Sequence, residues 1–163
     1  MIETPQGKRI LVDGGPPGNL APKLGEYLPL RSRTIDTMIL THPHMDHMAG
    51  FIEVLERYEV KEVWYTGVVH TTREFERWLR LIKEKNIPMR KIARREDITV
   101  ERSTCHSEPV EGSPRCSPEA VIRILYPDHD LSDLEGVPHE KGAEPDNLNN
   151  TSIVFRLAPR CRL

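Results

Sequence analysis

Ile35-Asp-Thr-Met-Ile-Leu-Thr-His-Pro-His-Met-Asp-His-Met-Ala-Gly50 is the stretch that decides the fold. It opens as an apolar run of strand length, Ile35 to Thr41. That run leads straight into four potential metal ligands within six residues: His42, His44, Asp46 and His47. In extended backbone, residues two apart point to the same side. Pro43 holds the residue before it extended. His42 and His44 can therefore converge on one ion. Asp46 and His47 come where the chain turns into a helix, and they face a neighbouring point suited to a second ion. Asp46 is also a good helix N-cap, which is its purely structural alternative. Imidazoles plus a carboxylate suit zinc first, with manganese or iron as alternatives. Two such ions activate water at neutral pH and stabilise a developing oxyanion. A histidine-rich loop without metal is the competing reading. One histidine would favour it. Three histidines and an aspartate between an apolar strand and Gly50 favour the metal site.

Working outward from this stretch, strand and helix alternate. Phe51, Val54, Leu55 and Tyr58 follow the spacing of one buried helix face. Upstream, Lys8 to Asp13 reads as a strand that ends at the turn Gly14-Gly15-Pro16-Pro17. Asn19 to Leu28 reads as a helix, with Leu20, Leu24 and Leu28 on one side and Pro22 in the tolerant first turn. Downstream, Lys61 to Thr66 is a strand. Thr72 to Lys85 is a helix with the apolar stripe Phe75, Trp78, Leu79 and Ile82, closed by Asn86 and Pro88. Pro88 to Ala93, Ile98 to Glu101, Ala120 to Pro127 and Thr151 to Leu157 read as further strands. The segment 103–118 lacks periodicity and reads as a loop or insertion. Asp128 to Asn150 is a long polar loop, of the kind that is functional or disordered. The reading is one α/β (α+β) domain over 1–163.

Composition excludes several classes. Hydrophobic residues make up 37% and charged residues 29%, which fits a globular domain and not a disordered chain. The apolar runs are too short for a transmembrane helix, and the first residues hold no signal-peptide core. By that absence the expected location is the cytoplasm. The net charge of −2 gives no global pull toward nucleic acid. Arg90-Lys91 and Arg94-Arg95 read as a solvated basic face. Cys105, Cys116 and Cys161 match neither a disulfide framework nor a zinc ribbon, and read as reduced thiols.

Thr41-His-Pro-His-Met-Asp-His-Met-Ala-Gly50 resembles the signature of the metallo-β-lactamase superfamily. Ile10-Leu-Val-Asp-Gly-Gly15 is similar to the strand and turn that precede that signature. Leu125-Tyr-Pro127 and Asn149-Asn-Thr-Ser-Ile-Val-Phe-Arg-Leu157 resemble segments of one subfamily, the metallo-hydrolase domain of ComEC-type DNA-internalisation (competence) proteins and their stand-alone relatives. The resemblance implies an αββα sandwich with metals at one edge, zinc above all. It implies His42 and His44 as ligands of the first ion, and Asp46 and His47 as ligands of the second, with Asp46 also the candidate catalytic residue. Asp13 would orient a ligand and Thr41 would help it. Asn149, Asn150 and Ser152 would line the site; polar turn chemistry before a strand is their alternative role. The implied activity is metal-dependent hydrolysis, directed at phosphodiesters and nucleic acid under the ComEC-like reading, or at small-molecule esters, thioesters or lactones under another.

The chain also departs from that pattern. The family's opening Gly-x-Gly-Asp strand and its later Thr-Gly-Asp and His-His-Gly-Ser segments do not appear in these 163 residues. The expectation is a domain truncated after its first half. It would bind metal weakly alone, be inactive, or be completed by a partner chain. His70, His106, His129 and His139 are expected to be exposed loop histidines and not replacement ligands.

Overall fold

The computed structural model describes residues 1–29, 32–101, 119–128, 130–131 and 152–160. The segment 103–118, the three cysteines, His106, His129, His139, Asn149 and Asn150 lie outside the described residues. So does most of the long loop that follows Asp128.

The elements run β1 (Ile2–Glu3), β2 (Arg9–Val12), α1 (Leu20–Tyr27), β3 (Thr34–Ile39), α2 (Met45–Arg57), β4 (Glu59–Tyr65), α3 (Arg73–Glu84), β5 (Met89–Lys91), β6 (Asp97–Glu101), β7 (Glu119–Tyr126) and β8 (Val154–Arg160). They form a five-stranded sheet in the order β1-β2-β3-β4-β5 and a three-stranded sheet in the order β6-β7-β8. Strands β2 to β5 are parallel, and β1 pairs antiparallel with β2 at the edge. The second sheet is antiparallel throughout. Mixed helices and sheets in this layering agree with the expected α/β sandwich. The two-residue strand β1 was not expected, because it is too short to carry a periodic signal.

Each parallel step is made through a helix, as parallel pairing requires. Strand order follows chain order, so all three helices cover one face of the large sheet. Leu11, Met38, Leu40 and Val63 point to that face and pack with Leu24, Phe51, Val54, Leu55, Phe75 and Trp78. Ile10, Ile39 and Trp64 point to the other face, where Ile98, Val100, Ala120, Ile122 and Ile124 of the second sheet meet them. The alternation of neighbouring residues between two cores is why these strands read as continuous apolar runs. Phe51, Val54, Leu55 and Tyr58 are all buried, as their spacing predicts. In α3, Phe75, Trp78 and Ile82 are buried while Leu79 packs at the margin. Thr72 caps that helix by accepting the Phe75 N–H at 3.4 Å. Asn86 ends it in a left-handed conformation, φ 52°.

The basic run on and after β5 is largely neutralised. Arg90 lies 3.1 Å from Glu96, Lys91 2.6 Å from Asp130, and Arg95 3.6 Å from Asp128. Among the described residues no helix is long and apolar enough to cross a membrane.

Asp36, on β3, carries a pH dependence. Burial alone would raise its carboxyl pKa. The Lys61 ammonium at 2.6 Å, the Arg9 backbone N–H at 2.9 Å and the charge of Lys8 outweigh burial and hold it below the ordinary 3.8. A carboxyl depressed on folding stabilises the fold above its unfolded value and loses that contribution as pH falls through the folded value. Asp36→Asn should therefore lower stability at pH 7, and the gap to the parent should narrow below pH 3.8. Urea unfolding measured across that range checks it; a gap independent of pH would refute the assignment.

Candidate metal centre

The carboxyl ends of the parallel strands all lie at one edge of the large sheet. The chain leaves β2 there at Asp13, β3 at Thr41, and β4 toward His70. Sequential strand order puts these three exits side by side, so residues distant in sequence share one edge.

His42 is in the loop between β3 and α2, and is buried at 3% exposure. His44 precedes α2 with φ −77° and ψ 149°, the extended conformation that the alternation argument uses. The His42 and His44 rings meet edge to face, with centroids 4.7 Å apart. The His47 ring, one helical turn on, sits 4.0 Å from that of His42. The three imidazole rings therefore lie close together. Asp46 does not join them closely. Its side chain is 74% exposed, and its Oδ2 lies 3.7 Å from His47 Nε2. Asp46 is also not the N-cap of α2. His44 holds that position, and Asp46 falls inside the first turn, where its charge complements the helix dipole.

Asp13 organises the cluster. Its Oδ1 accepts the Thr41 backbone N–H at 2.9 Å. Its Oδ2 accepts the Thr41 hydroxyl at 2.7 Å and lies 2.8 Å from His47 Nδ1. Asp13 thus touches both the residue before His42 and the His47 ring. Asp13 itself adopts φ 52°, the left-handed region that aspartate tolerates better than most residues. Ser152 arrives from the far end of the chain. Its Oγ is 3.0 Å from His42 Nδ1, and the next residue, Ile153, donates its N–H to the Thr41 carbonyl at 3.0 Å.

Two glycines hold this arrangement at close range, a feature that sequence reading missed. The turn after β2 rests directly on the first turns of α2. Gly14 N–H donates to the His47 carbonyl, and Gly50 N–H donates to the Gly15 carbonyl at 3.0 Å. A side chain on Gly50 would fall onto the Gly14 carbonyl oxygen and lie 2.9 Å from its carbon. The signal was present as Gly14-Gly15 and Gly50, but close approach between segments leaves no local pattern.

His70 corrects an expectation. It is buried and not exposed, with Nδ1 accepting the Thr72 N–H at 3.3 Å where α3 begins. Its place between β4 and α3, beside that backbone donor, takes the imidazole out of solvent.

The electrostatics of the cluster favour a cation. Burial first, and then the neighbouring His47 and His44, push His42 down to about 4. It is neutral at physiological pH and ready to donate a lone pair. His42 Nε2 is buried and has no hydrogen-bond partner among the described residues. An unmatched buried polar nitrogen costs about 1–3 kcal/mol, and a bound metal ion would relieve that cost. Imidazole nitrogens are suitable donors for zinc and its neighbours. On both grounds the residues present fit a metal ion. Yet among the described residues, no three His, Cys, Asp or Glu side chains form a finished coordination group. Asp46 in particular would have to swing inward.

No curated protein matches the chain. A family model does match it, under the description metallo-beta-lactamase superfamily, over residues 1–152. That span contains the β2 turn with Asp13, the histidine motif and Ser152, so the chain belongs to the metallo-beta-lactamase superfamily.

Proposed function

We propose that the chain is a zinc-dependent hydrolase domain acting on phosphodiesters, nucleic acid among them, in the manner of the ComEC-type relatives it resembles. Membership of the superfamily supports metal-dependent hydrolysis at the coarser level. The observation that carries the finer reading is the contact of Ser152 with His42 at 3.0 Å. The Asn-Asn-Thr-Ser segment resembling that subfamily ends inside the histidine cluster, where a substrate would be handled.

His42 and His44 would hold one ion, and Asp46 and His47 a second. Bound metal supplies Lewis-acid activation of water and stabilisation of a developing oxyanion. The protein's own part is orientation. Asp13 fixes His47 through a 2.8 Å contact and positions the Thr41 backbone. Burial of His42 keeps protons from competing with the ion until the pH nears 4. Ser152 faces the same cluster and can contact a substrate oxygen.

The test is zinc content after gel filtration, followed by zinc-dependent cleavage of bis(4-nitrophenyl) phosphate. His44→Ala, with its fold verified by circular dichroism, should lose most of that cleavage. Cleavage of lactones or thioesters but not of the phosphodiester would move the assignment to small-molecule hydrolysis. A second reading draws on the lack of a finished coordination group. In it, the chain binds zinc weakly alone and a partner chain completes the site. Absence of retained zinc and of all cleavage by the parent chain would favour that reading over the first.

A further inference from the structure

Toward the amino ends of the parallel strands, away from the histidine cluster, a cleft of about 400 Å³ opens between the two sheets. Side chains along a strand alternate between its faces. Two strands break that rule here at the same level. Ile35 and Met38 of β3 both pack in the helix-side core, and so do Val60 and Val63 of β4. The pairs between them, Asp36-Thr37 and Lys61-Glu62, all line the cleft. Polar side chains thus gather where the apolar core between the sheets would otherwise continue.

Charge matching singles out two of the lining residues. Asp36 is met by the Lys61 ammonium at 2.6 Å and the Arg9 backbone N–H at 2.9 Å. Arg90 pairs with Glu96 and lies over the Trp64 ring, 5.5 Å from its centroid. The Lys8 ammonium reaches the second sheet but donates to a neutral group, the Val100 carbonyl, at 2.5 Å. The Glu62 carboxylate accepts from another neutral group, the Thr37 hydroxyl, at 2.9 Å. Neither Lys8 nor Glu62 has an ion-pair partner among the described residues. Lys8 precedes β2 and Glu62 is on β4, with β3 between. Their backbones therefore stand at least two strand spacings apart, roughly 10 Å. Trp64 and Val100 give the same cleft apolar surface.

We propose that this cleft binds a small ω-amino carboxylate, a molecule with an amine at one end, a carboxylate at the other and a short methylene chain between. Glu62 takes the ammonium, Lys8 takes the carboxylate, and the methylenes lie against Trp64 and Val100. Hydrogen bonds between charged groups are the strong ones, so both ends contribute. A separation of this order suits charges held apart by several methylenes better than the adjacent charges of an α-amino acid. The site is independent of the metal-centre reading.

The probe is 6-aminohexanoate, titrated into the nitrogen-15-labelled chain and followed by NMR. The chain has two tryptophans, so the Trp64 indole signal is identified by its loss in Trp64→Phe. That signal and the Thr37 and Val100 amides should shift in a saturable way. Hexanoate and hexylamine each lack one charge and should bind about tenfold more weakly or worse, as loss of a hydrogen bond between charged groups implies. Glu62→Gln should weaken 6-aminohexanoate about tenfold and leave hexanoate unchanged. Lys8→Gln should weaken it likewise and leave hexylamine unchanged. No saturable shift in the parent overturns the proposal. Equal affinities for the three probes overturn it too, since the cleft would then be taking hydrocarbon alone. The probe comparison needs only the parent chain, so it stays decisive if a variant does not fold.

Discussion

Gly50→Ala should destabilise the fold by about 2–3 kcal/mol, although alanine is the better helix former. Gly50 lies inside α2, where replacing glycine by alanine normally gains about 1 kcal/mol. Here the added carbon meets the Gly14 carbonyl, a backbone group that cannot rotate away. The helix and the β2 turn must part, and overpacking of this kind costs about 1–3 kcal/mol, occasionally more. Two further contacts go with it. The Gly50 N–H donates to the Gly15 carbonyl at 3.0 Å, and the Gly14 N–H donates to the His47 carbonyl. For a chain of this size, the expected fall in thermal midpoint is roughly 4–12 °C. Differential scanning calorimetry of the metal-free protein measures it. An unchanged or raised midpoint would mean that the turn is not seated on α2 as described. The variant should also displace Asp13, one residue before Gly14, so its zinc affinity should fall with its stability.

Asp13→Ala is the second large effect, and it separates site from scaffold. The substitution leaves the Thr41 backbone N–H, the Thr41 hydroxyl and His47 Nδ1 without their shared acceptor. Groups that orient metal ligands contribute about 10–100-fold to affinity. Asp13 touches the His47 ring directly and holds Thr41 beside His42, so the upper part of that range is expected. Leaving half-buried donors unmatched also costs about 1–3 kcal/mol of stability. Isothermal titration with zinc, run beside urea unfolding, distinguishes the two losses. Full zinc affinity in a folded Asp13→Ala chain would remove Asp13 from the centre.

The legible part of this protein was whatever repeats along the chain. Phe51, Val54, Leu55 and Tyr58 announce a buried helix face, and Ile35 to Thr41 announces a strand, because burial imposes a period. The histidine motif was legible for a related reason: His42 and His44 on extended backbone must share a side. What escaped was set between segments. Nothing local distinguishes Gly50 from a dispensable glycine until the β2 turn is brought against it. His70 looked like an exposed loop histidine because its partner, the Thr72 N–H, is a backbone group that any residue could offer. Asp46 lies at the helix start as read, but the cap that was its structural alternative falls to His44. The extended path through His44 begins the helix at Met45, two residues earlier than an Asp46 cap would.

The contact between Ser152 and His42 spans 110 positions. It has a thermodynamic consequence. Closing so long a segment carries an entropic penalty, and the contacts at its end must overcome it. The pocket around His42 is therefore complete only when the start of β8 has docked beside the end of β3. A cation that binds the completed pocket and not the open chain pulls the docking equilibrium with it, by about 2.7 kcal/mol at one hundred times its dissociation constant. Ion occupancy and closure of the second sheet onto the first become one linked equilibrium, in which the ion acts as a latch on the sandwich.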